Sequence, residues 1–241
     1  MQKIKRFYES AGSAPAESGY GVTLDGRPVR TPAKAPLVLP SAALAAAIAA
    51  EWQGQDKEID TASMALNNLA CTAIDIVGPQ RTRIVDDLVD YGGHDLICYW
   101  NDAVDDLLRR QQDHWQPLLD WAAQELNAPL VKTCGIVSQD QPPESLAALR
   151  TAVEHHDAMA LTGLAAAVQA SGSLVIGLAL SRGRLEAEQA WMVSLLDEAY
   201  QQERWGEDAE ARKRQAALHQ ELDAAGRFLS LLREGVSAES A

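Results

Sequence analysis

The sequence predicts an α+β fold. A small N-terminal domain of short strands, with one hairpin and one helix, covers residues 1–62, and a larger all-helical bundle domain covers residues 63–241. Three observations predict it. Asp25-Gly26 lies between two strand-like runs, and such a pair is the strongest short hairpin signal, because a type I′ turn needs positive φ at both central positions. Pro28, Pro32, Pro36 and Pro40 punctuate the chain around it. They exclude long central strands, since proline cannot donate to a ladder. Beyond Pro40 the apolar residues recur at helical spacing almost to the C-terminus.

Element by element, Lys3–Glu9 alternates loosely through Ile4, Phe7 and Tyr8. Gly19–Leu24 and Arg27–Arg30 flank the turn, and Pro36–Leu39 adds another short apolar run. Ser41 caps a helix whose Leu44, Ile48 and Trp52 share one stripe. Gln53–Ser63 is a polar connector. A second helical stripe holds Leu66, Leu69, Ala70, Ala73, Ile74 and Val77; Gly78 stops it and Pro79 starts the next, which carries Ile84, Val85 and Leu88. Gly92-Gly93 ends that helix, and His94-Asp95 opens another with an acid at its start. The run from Val104 to Leu126 is helical in period, but Pro117 must kink or divide it. Val131–Pro143 is extended. Helices are expected over Glu144–His156, Ala158–Ala170, Ser173–Ser181 and Leu185–Gln202. The last begins near Asp208, with Leu218, Leu222, Ala225, Leu229 and Leu232 as its apolar seam.

Composition narrows the function. Lys plus Arg is 21 against 34 Asp plus Glu, a formal charge of −13. Nucleic acid and anionic membranes require positive charge, so neither is a partner, and a basic client fits better. Ala158 to Ser181 has no charged residue and is long enough to span a bilayer. Its Thr162, Gln169 and Ser171-Gly172-Ser173 break read instead as two buried core helices. Cys71, Cys98 and Cys134 are scattered and odd in number, which fits a reducing compartment and no disulfide framework. The N-terminus has no apolar signal segment.

Few residues invite catalysis. His155-His156-Asp157 resembles a metal cluster, but adjacent helical residues face different directions and cannot converge on one ion. No zinc-protease, nucleophile-elbow, dinucleotide or phosphate-loop motif occurs. The expectation is no catalytic residue, no metal and no cofactor. A helix-bundle metal-dependent enzyme is the alternative, and a scaffold for some other basic protein a second one. Trp52, Trp115, Trp121 and Trp191 fall on or beside apolar stripes, whereas Trp100 and Trp205 sit at segment ends. Around Trp205-Gly206 crowd Asp197, Glu198, Glu203, Glu207, Asp208 and Glu210. Helix capping explains Glu207 and Asp208. It leaves Asp197-Glu198 unexplained, because they are expected near a helix C-terminus. An aromatic residue rimmed by carboxylates is the pattern of a protein-binding hot spot. Glu198, Trp205, Glu207, Asp208 and Glu210 are therefore the candidate client-binding residues.

Several long motifs resemble one family. They are Gly21 to Pro32, reading GVTLDGRPVRTP; Ala50-Glu51-Trp52-Gln53-Gly54-Gln55; Asp95 to Tyr99; Trp115 to Trp121; Thr162-Gly163-Leu164 with Gly172-Ser173-Leu174; and Asp197-Glu198 with Trp205 to Ala211. In this order they resemble the ATP-twelve family, assembly chaperones for the F1 head of ATP synthase. The chain departs from the pattern at Ala65, where a proline is expected, and at Tyr99-Trp100-Asn101. The resemblance implies a non-enzymatic role: binding the unassembled alpha subunit of F1-ATPase and preventing its aggregation until beta replaces the chaperone. Mitochondrial members of that family carry transit peptides and this sequence shows none, so the expectation is a member working in the bacterial cytoplasm, as a monomer.

Overall fold

A computed structural model describes residues 4–103, 105–134, 139–206 and 208–239 of the chain. In order, the elements are β1 (Ile4–Lys5), β2 (Ala11–Ala16), β3 (Gly19–Leu24), β4 (Arg27–Pro28), β5 (Val38–Leu39), α1 (Ala42–Gln53), β6 (Glu58–Ile59), α2 (Ala65–Thr72), α3 (Arg81–Gly93), β7 (Tyr99–Trp100), α4 (Asp106–His114), α5 (Gln116–Glu125), β8 (Thr133–Cys134), α6 (Pro143–Glu154), α7 (Ala158–Ser171), α8 (Leu174–Ser181), α9 (Ala187–Ser194), α10 (Leu196–Trp205) and α11 (Ala209–Glu239). The architecture is α+β, with a strand-containing N-terminal region and a helical remainder. The sequence reading sets one boundary at residue 62/63. Grouped by contacts, the chain forms two compact units: Met1–Arg81 with Ala158–Gly163 and Arg227–Ala241, and Thr82–Asp157 with Leu164–Gly226.

In the first unit, Asp25 and Gly26 have φ of 47° and 78°, and Leu24 pairs with Arg27 across them. This is the two-residue hairpin the sequence predicts. Asp25 is also a hub: its carboxylate accepts the amide N–H of Ser10 at 2.9 Å and of Glu9 at 3.1 Å. β3 is central, flanked by β2 along its whole length and by β4 and β5 on the other side. β2 was not expected, because Ala-Gly-Ser-Ala-Pro-Ala has no apolar alternation. It is an edge strand, the position in which its Pro15 is tolerated. Ser41 caps α1, its hydroxyl accepting the Leu44 N–H at 3.1 Å. Val22, Leu39, Leu44, Ile48, Met64 and Leu66 form the core, and Met159 and Phe228 join it from far along the chain.

α2 starts without a capping side chain of its own. Glu51 of α1 supplies the cap, accepting the N–H groups of Leu66 and Asn67 at 2.8 Å each. Burial pushes the Glu51 carboxyl up, while these two bonds pull it down. α2 then runs into a π-helical turn, Ala73–Val77, closed by the Gly78 N–H to the Ala73 carbonyl at 2.9 Å. Gly78 is the C-cap of this turn, so the helix stops where the sequence predicts, although Gly78 keeps a right-handed φ of −54°. The next helix starts later than predicted: α3 begins at Arg81, two residues after Pro79.

In the second unit Pro117 falls in the first turn of α5, so α4 and α5 divide at Trp115, as the proline requires. Asp95 is fully buried and caps twice. Its carboxylate accepts the Ile97 N–H at 3.3 Å and the Val175 N–H, at the start of α8, at 3.0 Å. α8 is buried from Leu174 to Leu180. Among the described residues no helix is long and apolar enough to cross a membrane.

Candidate functional site

The acidic-aromatic cluster lies where α10 turns into α11. The helix expected over Leu185–Gln202 is interrupted at Leu195. The cause is Trp115, whose buried indole N–H donates to the Val193 carbonyl at 2.9 Å. An unbroken helix would give that carbonyl to the Asp197 amide. Asp197 and Glu198 therefore stand in the first turn of α10, not near a helix C-terminus. The helix dipole favours acids there, so the expected dipole conflict at this pair does not arise. Asp197 accepts the Gln111 side-chain N–H at 2.9 Å. Burial pushes its carboxyl up and that bond partly offsets the push.

Glu198 reaches the facing helix. It pairs with Arg214 at 3.3 Å and accepts the Gln215 side-chain N–H at 2.8 Å. Glu203 forms a two-pronged pair with Arg110, each N–H donating at 2.8 Å, and this holds its carboxyl below the usual range. Arg110 also donates to Asp106 at 2.9 Å. The Tyr200 hydroxyl donates to Asp105 at 3.3 Å, and the Arg204 guanidinium lies 4.5 Å over the Tyr200 ring. Glu198 and Glu203 are thus carboxylates with arginine partners, not a free acidic surface.

α10 ends at Gly206, whose φ of 85° is open to glycine. Asp208 accepts the Glu210 N–H at 3.2 Å and opens α11. Trp205 is 76% exposed at this turn, and Asp208 and Glu210 are exposed beside it in sequence. Glu207 lies outside the described residues. Of the candidate residues, then, Glu198 is tied to α11, while Trp205, Asp208 and Glu210 stand open at the turn. Trp100, the other tryptophan at a segment end, is buried, its indole N–H donating to the Ile97 carbonyl at 2.8 Å.

Sequence reasoning missed a neighbouring feature. α4, α5, α9 and α10 line an open cleft of about 690 Å³, whose walls include Pro117, Leu118, Trp191, Met192 and Leu196. Met192 is 58% exposed. Trp191 stacks on His219 with ring centroids 4.8 Å apart, and His219 meets Glu188 at 2.9 Å. Among the described residues no group of three or more His, Cys, Asp or Glu could hold a metal ion. His155 and His156 instead bond backbone carbonyls of their own helix.

Known proteins share this fold. Residues 5–123 match the family model described as ATP12 chaperone protein. The chain is 23% identical over 220 residues to the mitochondrial protein atp12 of Schizosaccharomyces pombe, covering 86% of this chain and 76% of that protein. Atp12 from Paracoccus denitrificans superposes with a TM-score of 0.91 at 44% identity, over 95% of this chain and 98% of the other. The Atu1473 protein of Agrobacterium tumefaciens gives a TM-score of 0.89 at 37% identity, over 95% and 86%.

Proposed function

The chain belongs to the ATP12 chaperone family, whose members assist assembly of ATP synthase, and from that premise we propose that it holds the unassembled alpha subunit of F1-ATPase until the beta subunit takes its place. An unpaired alpha subunit exposes the apolar and partly basic surface that would face beta, and such a surface aggregates. Holding it calls for complementary surface and release by competition, with no catalytic step and no cofactor. We place the work in the bacterial cytoplasm, by a monomer.

The observation that carries the reading is Trp205, 76% exposed at the α10–α11 turn with Asp208 and Glu210 beside it. A large ring left in water costs apolar hydration, and such a ring is what hot spots are made of. Glu198, paired with Arg214, and Glu207, which completes the stretch in sequence, are included in the proposed surface.

The test separates binding from folding. Trp205→Ala and Glu210→Lys alter exposed side chains, so each should leave stability within about 0.5 kcal/mol of wild type. Each should weaken retention of alpha subunit by at least about tenfold, as loss of a hot-spot residue does. Glu198→Lys sets a lysine against Arg214, so it should lower both retention and melting temperature. Folded Trp205→Ala and Glu210→Lys proteins that retain alpha subunit like wild type would move the client surface elsewhere.

A further inference from the structure

The first unit contains a second built cavity, of about 540 Å³, on the α1 and α2 side of the sheet. Its lining includes Trp52, Met64, Asn67, Asn68, Asp75 and Ile76. Its volume lies in the range of ligand sites. Its floor is apolar: Met64 is fully buried and Cys71 nearly so. Its lip is Ile76, 46% exposed on the π-helical turn. Single-turn π segments are enriched at functional sites.

Two side-chain amides set its polarity. The Trp52 indole N–H donates to Asn67 Oδ1 at 3.0 Å, which fixes the amide so that Nδ2 is its uncommitted end. Asn67 is only 7% exposed, yet among the described residues no acceptor meets Nδ2. Every fully enclosed polar side-chain atom among the described residues has a partner. Nδ2 must therefore reach open space, and Asn67 opens on this cavity. Asn68 is fixed the opposite way. Its Nδ2 donates to the Thr61 carbonyl at 2.7 Å, which leaves Oδ1 as an acceptor. One residue offers donors and the next offers an acceptor.

The one acid at the cavity is already bonded, and the one base has a single neutral acceptor. Asp75 accepts the Thr31 hydroxyl at 2.7 Å and the Ala33 N–H at 3.0 Å. Arg30 donates to the Lys34 carbonyl at 2.9 Å. A cationic and an anionic side chain both line the space, so it favours a neutral ligand over an ion. A neutral group that presents an acceptor and a donor side by side, flanked by an apolar body, is a peptide unit with its side chain. We propose that this cavity binds an extended peptide segment of a client protein. The segment's backbone carbonyl accepts from Asn67 Nδ2, its neighbouring N–H donates to Asn68 Oδ1, and an apolar side chain packs on Met64 and Ile76. The inference rests on the chaperone reading only for which protein supplies the segment.

The experiment uses the full chain and a blocked neutral peptide, acetyl-Ala-Leu-Ala-N-methylamide, titrated to about 10 mM, where weak peptide sites saturate. The ¹⁵N–¹H resonances of the Asn67 side chain are the readout, with Ile76 methyls as a second. Saturable shifts at both are expected. Asn67→Asp keeps the acceptor for Trp52 but replaces the donor with an oxygen, and should abolish the Ile76 shift. If that variant fails to fold, Ile76→Ser at the exposed lip should weaken the peptide at least threefold. No saturable shift in wild type, or full binding by the folded variants, overturns the proposal. A separate arm measures retention of alpha subunit. Its failure in wild type would overturn the function proposed above and leave the peptide site standing.

Discussion

At Asp25 and Gly26 the chain takes φ of 47° and 78°, the left-handed pair a tight hairpin requires. Asp25 tolerates it because its carboxylate bonds the backbone N–H groups of Ser10 and Glu9, and these bonds hold the carboxyl below its usual range. A side chain added at Gly26 would meet nothing within 4 Å, so its only cost is the backbone. For Gly26→Val that cost is about 1–2 kcal/mol, which lowers the melting temperature of a chain this size by roughly 2–8 °C. Gly26→Asn should recover most of the loss, since Asn accepts this region. Unchanged unfolding of Gly26→Val would refute the turn. The turn was legible because it is written in two adjacent residues. The roles of Glu51 and Trp52 were not. The sequence shows them only as a motif, whereas their work is to cap α2 and orient Asn67, fifteen and more residues away.

Asp95 shows how one residue holds two elements, and what that does to stability. It is fully enclosed, and burial pushes its carboxyl up to about 6 despite N–H bonds from Ile97, Leu174 and Val175 and the Ser173 hydroxyl. The folded value lies above the unfolded one, so the ionised form is the one the fold disfavours. That penalty is fully present above pH 6 and is relieved as pH falls from 6 to 4, where the folded protein takes up a proton the unfolded chain does not. Against Asp95→Asn, which does not titrate, wild type should gain up to about 3 kcal/mol across that window. Urea unfolding of both proteins at pH 7, 6, 5 and 4 measures the difference, and a gap that does not change with pH would show that Asp95 does not titrate there. Helix existence was legible from periodicity, as was the acid Asp95 at a helix start, although the helix it opens is only the single 3-10 turn Leu96–Cys98. The break at Leu195 was not, because it is made by Trp115, 80 residues earlier. Nor was β2, whose small residues are placed by pairing with β3 and packing on α1.

For the molecule as a whole, the sequence reading of one N-terminal domain meets a first unit assembled from three stretches, Met1–Arg81, Ala158–Gly163 and Arg227–Ala241. A linear boundary cannot express that arrangement, since nothing in the local pattern of α11 says which core its seam will enter. That the seam is apolar is legible in the sequence. Phe228, fully buried and in the same core as Val22, Leu39 and Ile48, gives it its destination. The backbone is tied there too: the Ser41 hydroxyl that caps α1 also donates to the Leu231 carbonyl at 2.9 Å. Phe228 and Leu231, fourteenth and eleventh from the C-terminus, thus help to hold the N-terminal core. Phe228→Ala removes a ring from a close-packed interior and should cost about 3–5 kcal/mol. The location of the damage is more telling than its size. Hydrogen exchange should accelerate at the amides of β3, Gly19–Leu24, and of α1, Ala42–Gln53, although both lie more than 170 residues away in sequence. Protection confined to its wild-type level in β3 and α1, with loss only along α11, would mean that the C-terminal segment is not part of the N-terminal core.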